Sequence, residues 1–241
     1  MIDFHTHLLP SVDDGARNVR ESVSLLRQLG EQGVTVAYAT PHFYAENDSP
    51  ARFFERRAKA AEAVRLATQG LSLPTVRLGA EVAYFSGISD AEAMSDMRLE
   101  DTDLLLLEMP LSEWTDYMIG ELIALAHRPA MRVLLAHVER YLPFVGKKTL
   151  LYLRESGFLM QVNAHAVLEP WKARNVAWLI REGVAEVLSS DCHGIHRRPP
   201  MLERACKRLD RRLGAGTADR MIHFGYTLAK SGLEPQKEER L

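Results

Sequence analysis

Nine histidines stand against two cysteines in a chain of 241 residues, and several of those histidines share short motifs with carboxylates. The chain opens Met-Ile-Asp-Phe-His5-Thr-His7, and a later segment reads Ser190-Asp191-Cys192-His193. In an extended strand residues i and i+2 point to the same side, so each motif presents two donors to one point. Between them come Thr-Pro-His42, Gly-Ala-Glu81, Leu-Leu-Glu108-Met-Pro and Leu-Ala-His137-Val-Glu-Arg140, while the loop after the first motif carries Asp13-Asp14-Gly15. One His or acid after an apolar run is most often a hydrogen-bonded side chain. Convergence changes that reading, because charges gathered at one place are costly without a cation to neutralise them.

Imidazole and carboxylate donors without a thiolate suit Mn, Fe, Co or Zn. A single ion takes roughly four to six donors, so this many candidates indicates two or three ions, with a carboxylate such as Glu108 bridging. A multinuclear site of this type activates water near neutral pH and steadies both oxygens of a phosphoryl transfer, which makes hydrolysis the expected chemistry. Arg140 and Arg198 follow the His137 and Asp191 motifs, and a planar guanidinium matches phosphate bidentately. Cys192 and Arg198 also spell C-x5-R, the spacing of enzymes in which a thiolate attacks phosphorus. The neighbouring Asp191 opposes that alternative, since its charge raises a thiol pKa.

These residues need elements to hold them. Seven short β-like runs, at 1–6, 34–40, 75–80, 103–108, 131–137, 158–163 and 185–190, alternate with longer helical stretches such as 18–32 and 51–69. In the first helical stretch Val19, Val23, Leu26 and Leu29 form the expected buried stripe. Runs such as Leu104–Leu107 are apolar throughout, as parallel strands covered on both faces are. Alternating βα units wind into an open sheet or close into a barrel, and either way ligands bind at the carboxyl ends of the strands. No linker divides the chain, so one domain is expected over residues 1–241, with 233–241 as a flexible tail.

A net charge of −2 argues against nucleic acid as a partner. Segment 197–212 is a local exception, with seven basic residues against Glu203 and Asp210; it reads as a solvated helix face or as a docking surface for an acidic partner. The N-terminus has no basic, apolar signal pattern, and no apolar run approaches the ~20 residues that span a bilayer. A soluble, cytoplasmic protein that is not membrane-embedded is expected.

Together the motifs resemble the bacterial polymerase-and-histidinol-phosphatase (PHP) superfamily, and more narrowly its manganese-dependent protein-tyrosine phosphatases of capsule and exopolysaccharide gene clusters. The segments carrying the resemblance are His-x-His, Asp-Asp-Gly, Thr-Pro-His, Gly-Ala-Glu, Glu-x-Pro, Ala-His-x-Glu-Arg-Tyr and Ser-Asp-x-His with Arg-Pro-Pro, between residue 1 and about 210. The resemblance implies a distorted seven-stranded (β/α) barrel holding three ions. Its metal ligands fall on His5, His7, Asp14, His42, Glu81, Glu108, His137, Asp191 and His193, and its phosphate-holding arginines on Arg140 and Arg198. It further implies phosphotyrosine as substrate, on a tyrosine autokinase that controls polysaccharide export. Two other phosphatase readings share the motifs: a small-molecule enzyme of the histidinol-phosphate type and a phosphodiesterase. The chain departs from the pattern at Val138, at Phe43, and at Asn163-Ala-His165, where the bulky imidazole is expected near the pocket.

Overall fold

The computed structural model describes residues 1–231, and the tail expected over 233–241 lies outside them. In chain order the elements are β1 (Ile2–Thr6), α1 (Val19–Glu31), β2 (Val36–Ala39), β3 (His42–Phe43), α2 (Pro50–Ala67), β4 (Thr75–Leu78), β5 (Glu81–Ala83) and β6 (Leu104–Glu108). They continue as α3 (Asp116–Ala126), β7 (Arg132–Leu135), α4 (Leu142–Glu155), β8 (Leu159–Asn163), α5 (Ala164–Leu168), α6 (Ala173–Arg181), β9 (Val187–Ser189), α7 (Leu202–Leu213) and α8 (Thr217–Ser231). Three helix starts have a clear local cause. Asn18, Ser49 and Thr115 accept from the backbone N–H three residues on, at the heads of α1, α2 and α3, satisfying donors that the helix leaves without a partner. The buried face of α1 is Glu21, Ser22, Leu25, Leu26 and Leu29. The true stripe is thus turned from the expected one, with Leu25 inside and Val19 and Val23 at its margin.

All strand pairing is parallel, in a sheet ordered β1-β2-β4 and another ordered β3-β5-β6-β7-β8-β9. The second and third β-like runs each break in two. Pro41 has no N–H to donate, and there the chain leaves β2 and re-enters pairing as β3. Gly79 marks the step from β4 to β5; a Cβ there would stand 2.4 Å from the Leu99 side chain. His42 and Glu81 therefore begin short strands instead of ending long ones, and they are direct partners in the β3–β5 register. On its other side β1 meets the segment after β9: Asp191 N–H donates to His5 O and His7 N–H to Cys192 O, each at 2.9 Å.

Strand faces alternate between two cores. Leu105, Leu107, Val133 and Leu135 pack with the helices, while Leu104, Leu106 and Leu134 join Phe4, Tyr38 and the end of α8 in a second cluster. Pairing in β1 slips by one residue, with Asp3 opposite Ala37 but Thr6 opposite Ala39. Such a bulge re-aims side chains and is common beside functional sites. Here it lets Phe4 pack in the second core while His5 is directed at the cluster described below. Among the described residues no helix is long and apolar enough to cross a membrane.

Phe4 is buried, stacks on Tyr38 at 5.4 Å and abuts Gly225 of α8. Phe4→Ala should cost about 3–5 kcal/mol in urea unfolding; a loss under about 1 kcal/mol would mean that this core does not tie β1 to α8.

Candidate metal centre

At the carboxyl ends of the strands the predicted residues come together around one carboxylate. Glu81 is fully buried, and its Oε2 lies 3.0 Å from His5 Nε2, 3.2 Å from His7 Nε2 and 3.0 Å from His42 Nδ1. Its Oε1 lies 3.0 Å from His137 Nε2, which is also 3.3 Å from Glu108 Oε1. Glu81 thus meets four imidazoles, whereas Glu108, more exposed, meets His137 and, at 3.9 Å, His42. Despite these distances, Glu81 Oε2 and His42 Nδ1 are buried and make no hydrogen bond of acceptable geometry. The His5 and His7 Nε2 atoms also face each other at 3.1 Å. Donors drawn this close, with Glu81 Oε2 and His42 Nδ1 left without an aligned partner, are arranged as if toward a common cation.

Three overlapping groups have donor atoms all within 4.8 Å of one another: His7, Asp14, His42 and His193; His5, His7 and Glu81; and His42, Glu81 and Glu108. His137 joins them through Glu81 and Glu108. Asp191 approaches by Oδ1, which is 3.5 Å from nitrogens of His5, His7 and His193. Its Oδ2 accepts from Arg140 Nη2 at 2.7 Å, from Asn163 Nδ2 at 2.6 Å and from Arg198 Nη2. Both predicted arginines therefore sit beside the cluster, half-buried, with their guanidinium groups converging on one carboxylate oxygen. Three of these residues, His137, Asp191 and Arg198, hold positive φ angles of 34°, 51° and 59°. That backbone costs roughly 1–3 kcal/mol per residue, which the surrounding structure must offset.

Several positioning residues were not assigned roles by sequence reasoning. Asp13 Oδ2 pairs with His7 Nδ1 at 2.7 Å and also accepts the His42 N–H at 3.0 Å. Holding the Nδ1 proton leaves the His7 Nε2 lone pair aimed into the cluster. The other acid of the Asp-Asp pair, Asp14, is half-exposed and reaches His193 Nε2 at 3.2 Å. Gly15 lets this loop lie against β1, since a Cβ there would fall 2.1 Å from His7 O. From β8, the one principal strand with no predicted ligand, Gln161 Oε1 meets His5 Nδ1 at 3.3 Å and accepts the His137 N–H at 2.8 Å. Its amide then donates to Asn163 Oδ1 at 2.7 Å. The signal was the Gln-x-Asn spacing of β8, the same i, i+2 pattern as His-x-His. His165 does not enter the pocket: its Nε2 pairs with Pro199 O at 3.1 Å and steadies the segment after Arg198.

Charge inside the cluster is balanced by proximity. Burial favours a neutral Glu81, yet the His5 and His137 imidazoles hold its carboxyl well below the ordinary range. Burial likewise opposes ionised Asp13, and the His7 ring with the Gly15 and His42 N–H groups outweighs it, at about 2. Burial, with His7 and Arg198 close by, depresses His193 to about 3, keeping it a neutral ligand type. His137 moves the other way, to about 9, because Glu108 and Glu81 outweigh its desolvation. Anionic oxygens and neutral or proton-holding imidazoles form a donor set that divalent cations fit. Cys192, in contrast, is fully buried in the helix-side core, and burial with Asp3 nearby pushes its thiol up to about 12. A thiolate nucleophile is not available from this position.

Beside His42 the site opens into a cleft of about 360 Å³ lined by Val12, Asp13, Asp14, His42, Tyr44, Asn47, Asp48 and Arg56. Tyr44 stacks on His42 at 5.3 Å and is 43% exposed, so an aromatic face lines the approach to the cluster. Asp13→Asn should weaken metal binding about 10–100-fold in competition with a fluorescent chelator; unchanged affinity would remove Asp13 from the control of His7.

Comparison with known proteins bears on this geometry. A family model described as capsular polysaccharide synthesis, CpsB/CapC, matches residues 1–225. The CapC protein of Staphylococcus aureus is 28% identical over 228 residues, covering 89% of this chain and 85% of its own. The tyrosine-protein phosphatase CpsB of Streptococcus pneumoniae is 25% identical over 242 residues, with 92% and 95% covered. In three dimensions the chain matches a crystal structure from the set comprising YwqE of Bacillus subtilis and CpsB of Streptococcus pneumoniae, unique metal-dependent tyrosine phosphatases. The TM-score is 0.81 at 23% identity, covering 95% of this chain and 94% of the other, a likeness that establishes the fold.

Proposed function

Because the chain belongs to the CpsB/CapC family of capsular polysaccharide synthesis proteins, we propose that it is a metal-dependent protein-tyrosine phosphatase. The observation that carries this is Glu81: one buried carboxylate oxygen within 3.2 Å of three imidazole nitrogens, none of them hydrogen-bonded to it in proper geometry. We assign His5, His7, Asp14, His42, Glu81, Glu108, His137, Asp191 and His193 as ligands of two or three divalent ions, with manganese the principal one and Fe, Co or Zn as substitutes. Bound there, such ions supply Lewis-acid activation of water and neutralise charge on a phosphoryl group. We also read the strands as one distorted seven-unit barrel in a single domain. The backbone bonds between β1 and the segment after β9, and the shared core of Phe4, Leu106 and Leu134, support that reading.

Within this scheme the chain's own groups have separate tasks. Arg140 and Arg198 release Asp191 Oδ2 and turn their guanidinium forks to the phosphoryl oxygens. Each is about 30% exposed, at 28% and 31%, so each can reach substrate. Asn163 keeps its hold on Asp191, whose remaining oxygen faces His5, His7 and His193. Asp13 and Gln161 keep the His7 and His5 rings oriented. Tyr44 offers a flat face to the phenyl ring of phosphotyrosine. The exposure of Tyr44 and Asp14 at the mouth favours a side chain carried on a protein over an enclosed metabolite. A tyrosine autokinase of the polysaccharide export machinery is the partner of this reading.

Metal-depleted protein resupplied in turn with Mn, Fe, Co, Zn or Mg, and assayed on a phosphotyrosine peptide and on histidinol phosphate, tests the assignment. Peptide turnover should vanish without metal and return best with Mn, and Cys192→Ser should retain most of it. Turnover that survives depletion, or stops in a metal-loaded Cys192→Ser protein, contradicts the metal mechanism; preference for histidinol phosphate contradicts the substrate. Arg198→Ala should raise KM for the peptide about 10–100-fold, the loss of a charge-assisted hydrogen bond, whereas unchanged kinetics would exclude Arg198 from phosphate binding.

A further inference from the structure

The basic segment noted in the sequence forms a pocket. Arg204, Lys207, Arg208 and Arg211 lie at i, i+3, i+4 and i+7 on α7, and with Leu168 they line a cavity of about 280 Å³ in which every polar lining residue is a cation. Little in the described residues compensates them. Lys207 pairs with Glu203 on its own helix, and Arg204 Nη1 rests 3.2 Å from Met201 Sδ. Asp210, the other acid of the segment, accepts the Ala218 N–H at the head of α8. Arg208 Nε is buried without a hydrogen-bond partner, and Arg211 forms no ion pair among the described residues. Like charges four residues apart oppose helix formation, and a buried donor without an acceptor is unfavourable. An anion in the pocket would relieve the repulsion among the four cations.

The pocket is tied to the metal-centre rim. Leu168 ends α5, which begins directly after Asn163, and Asn163 holds Asp191. His165 of the same helix pairs with Pro199 in the segment joining Arg198 to α7. From Arg204 to Arg211 the helix rises ~10 Å, a row longer than one carboxylate or one phosphate can span.

We propose that this pocket is a docking subsite for the carboxylate side chains of an acidic segment in the protein substrate, engaged while the phosphotyrosine occupies the metal centre. The inference rests on the phosphatase reading above and adds a determinant of substrate choice: guanidinium and ammonium groups on α7 would favour phosphotyrosine flanked by Asp and Glu. A series of several side chains, and not one ion, suits the length of the row.

The test compares wild type with the Arg204→Gln, Arg208→Gln, Arg211→Gln triple variant, with Arg211→Glu alone as a milder second. Substrates are p-nitrophenyl phosphate, a phosphotyrosine peptide with neutral flanks, and the same peptide with an acidic block on either side. Binding of the unphosphorylated acidic peptide is followed by fluorescence anisotropy, which needs no turnover. The triple variant should raise KM for the acidic peptide about five- to tenfold, leave its kcat and both other substrates unchanged, and weaken anisotropy binding in parallel. Added salt should raise the wild-type KM for the acidic peptide and affect the variant far less. Equal changes on all three substrates, no change on the acidic peptide, or relief of the effect by millimolar inorganic phosphate alone would overturn the proposal. If wild type hydrolyses no phosphotyrosine substrate, the phosphatase reading fails while the anisotropy comparison still judges the pocket.

Discussion

A single buried carboxylate surrounded by imidazoles is the constraint on which the site depends. Glu81 is bracketed by His5, His7, His42 and His137 from three different segments. Each of those segments leaves regular pairing where it meets Glu81, by the bulge in β1, at Pro41 before β3, or by the left-handed turn at His137. An ionised carboxylate at this depth is unfavourable by itself. What offsets its desolvation is the set of imidazoles about 3 Å away, which hold its carboxyl well below the ordinary range. The same charge balance explains why Asp191 sits beneath two arginines and an asparagine, since it too is an acid out of water.

The scaffold holds this arrangement by ordinary packing. Strand residues alternate between the helix-side core and the second core, and together those two clusters hold the strands against the local strain at His137, Asp191 and Arg198. Positioning residues then remove the remaining freedom. Asp13 fixes one imidazole and one backbone N–H, Gln161 fixes another of each, and Asn163 ties Asp191 to β8.

Much of this was legible in the chain. The i, i+2 spacing of His5 and His7 and of Asp191 and His193 marked two strand ends, and all nine predicted ligand positions occur in the one cluster or touch it. Other features were not readable because they depend on neighbours. Asp13 and Asp14 are adjacent and chemically alike, and only the closeness of the Gly15 loop to His7 decides that one orients a ring while the other faces the opening. The rotation of the α1 face follows from how the helix meets the sheet, which its own periodicity does not contain. That Glu81 and not Glu108 is central reflects the β3–β5 register across two broken strands. Pro41 signalled one of those breaks; the two-residue β3 is too short to show any period.

Family membership and fold agree with the chemistry of the donors, and the central claim is that Glu81 is the shared anion of a multinuclear site. Crystals of the manganese-loaded protein, measured at the manganese absorption edge, address it directly. Two or more anomalous peaks should flank the Glu81 carboxylate at coordination distance, each also touching imidazole nitrogens from His5, His7, His42 or His137. A single peak remote from Glu81, or none at the cluster in protein shown to contain manganese, would contradict the account.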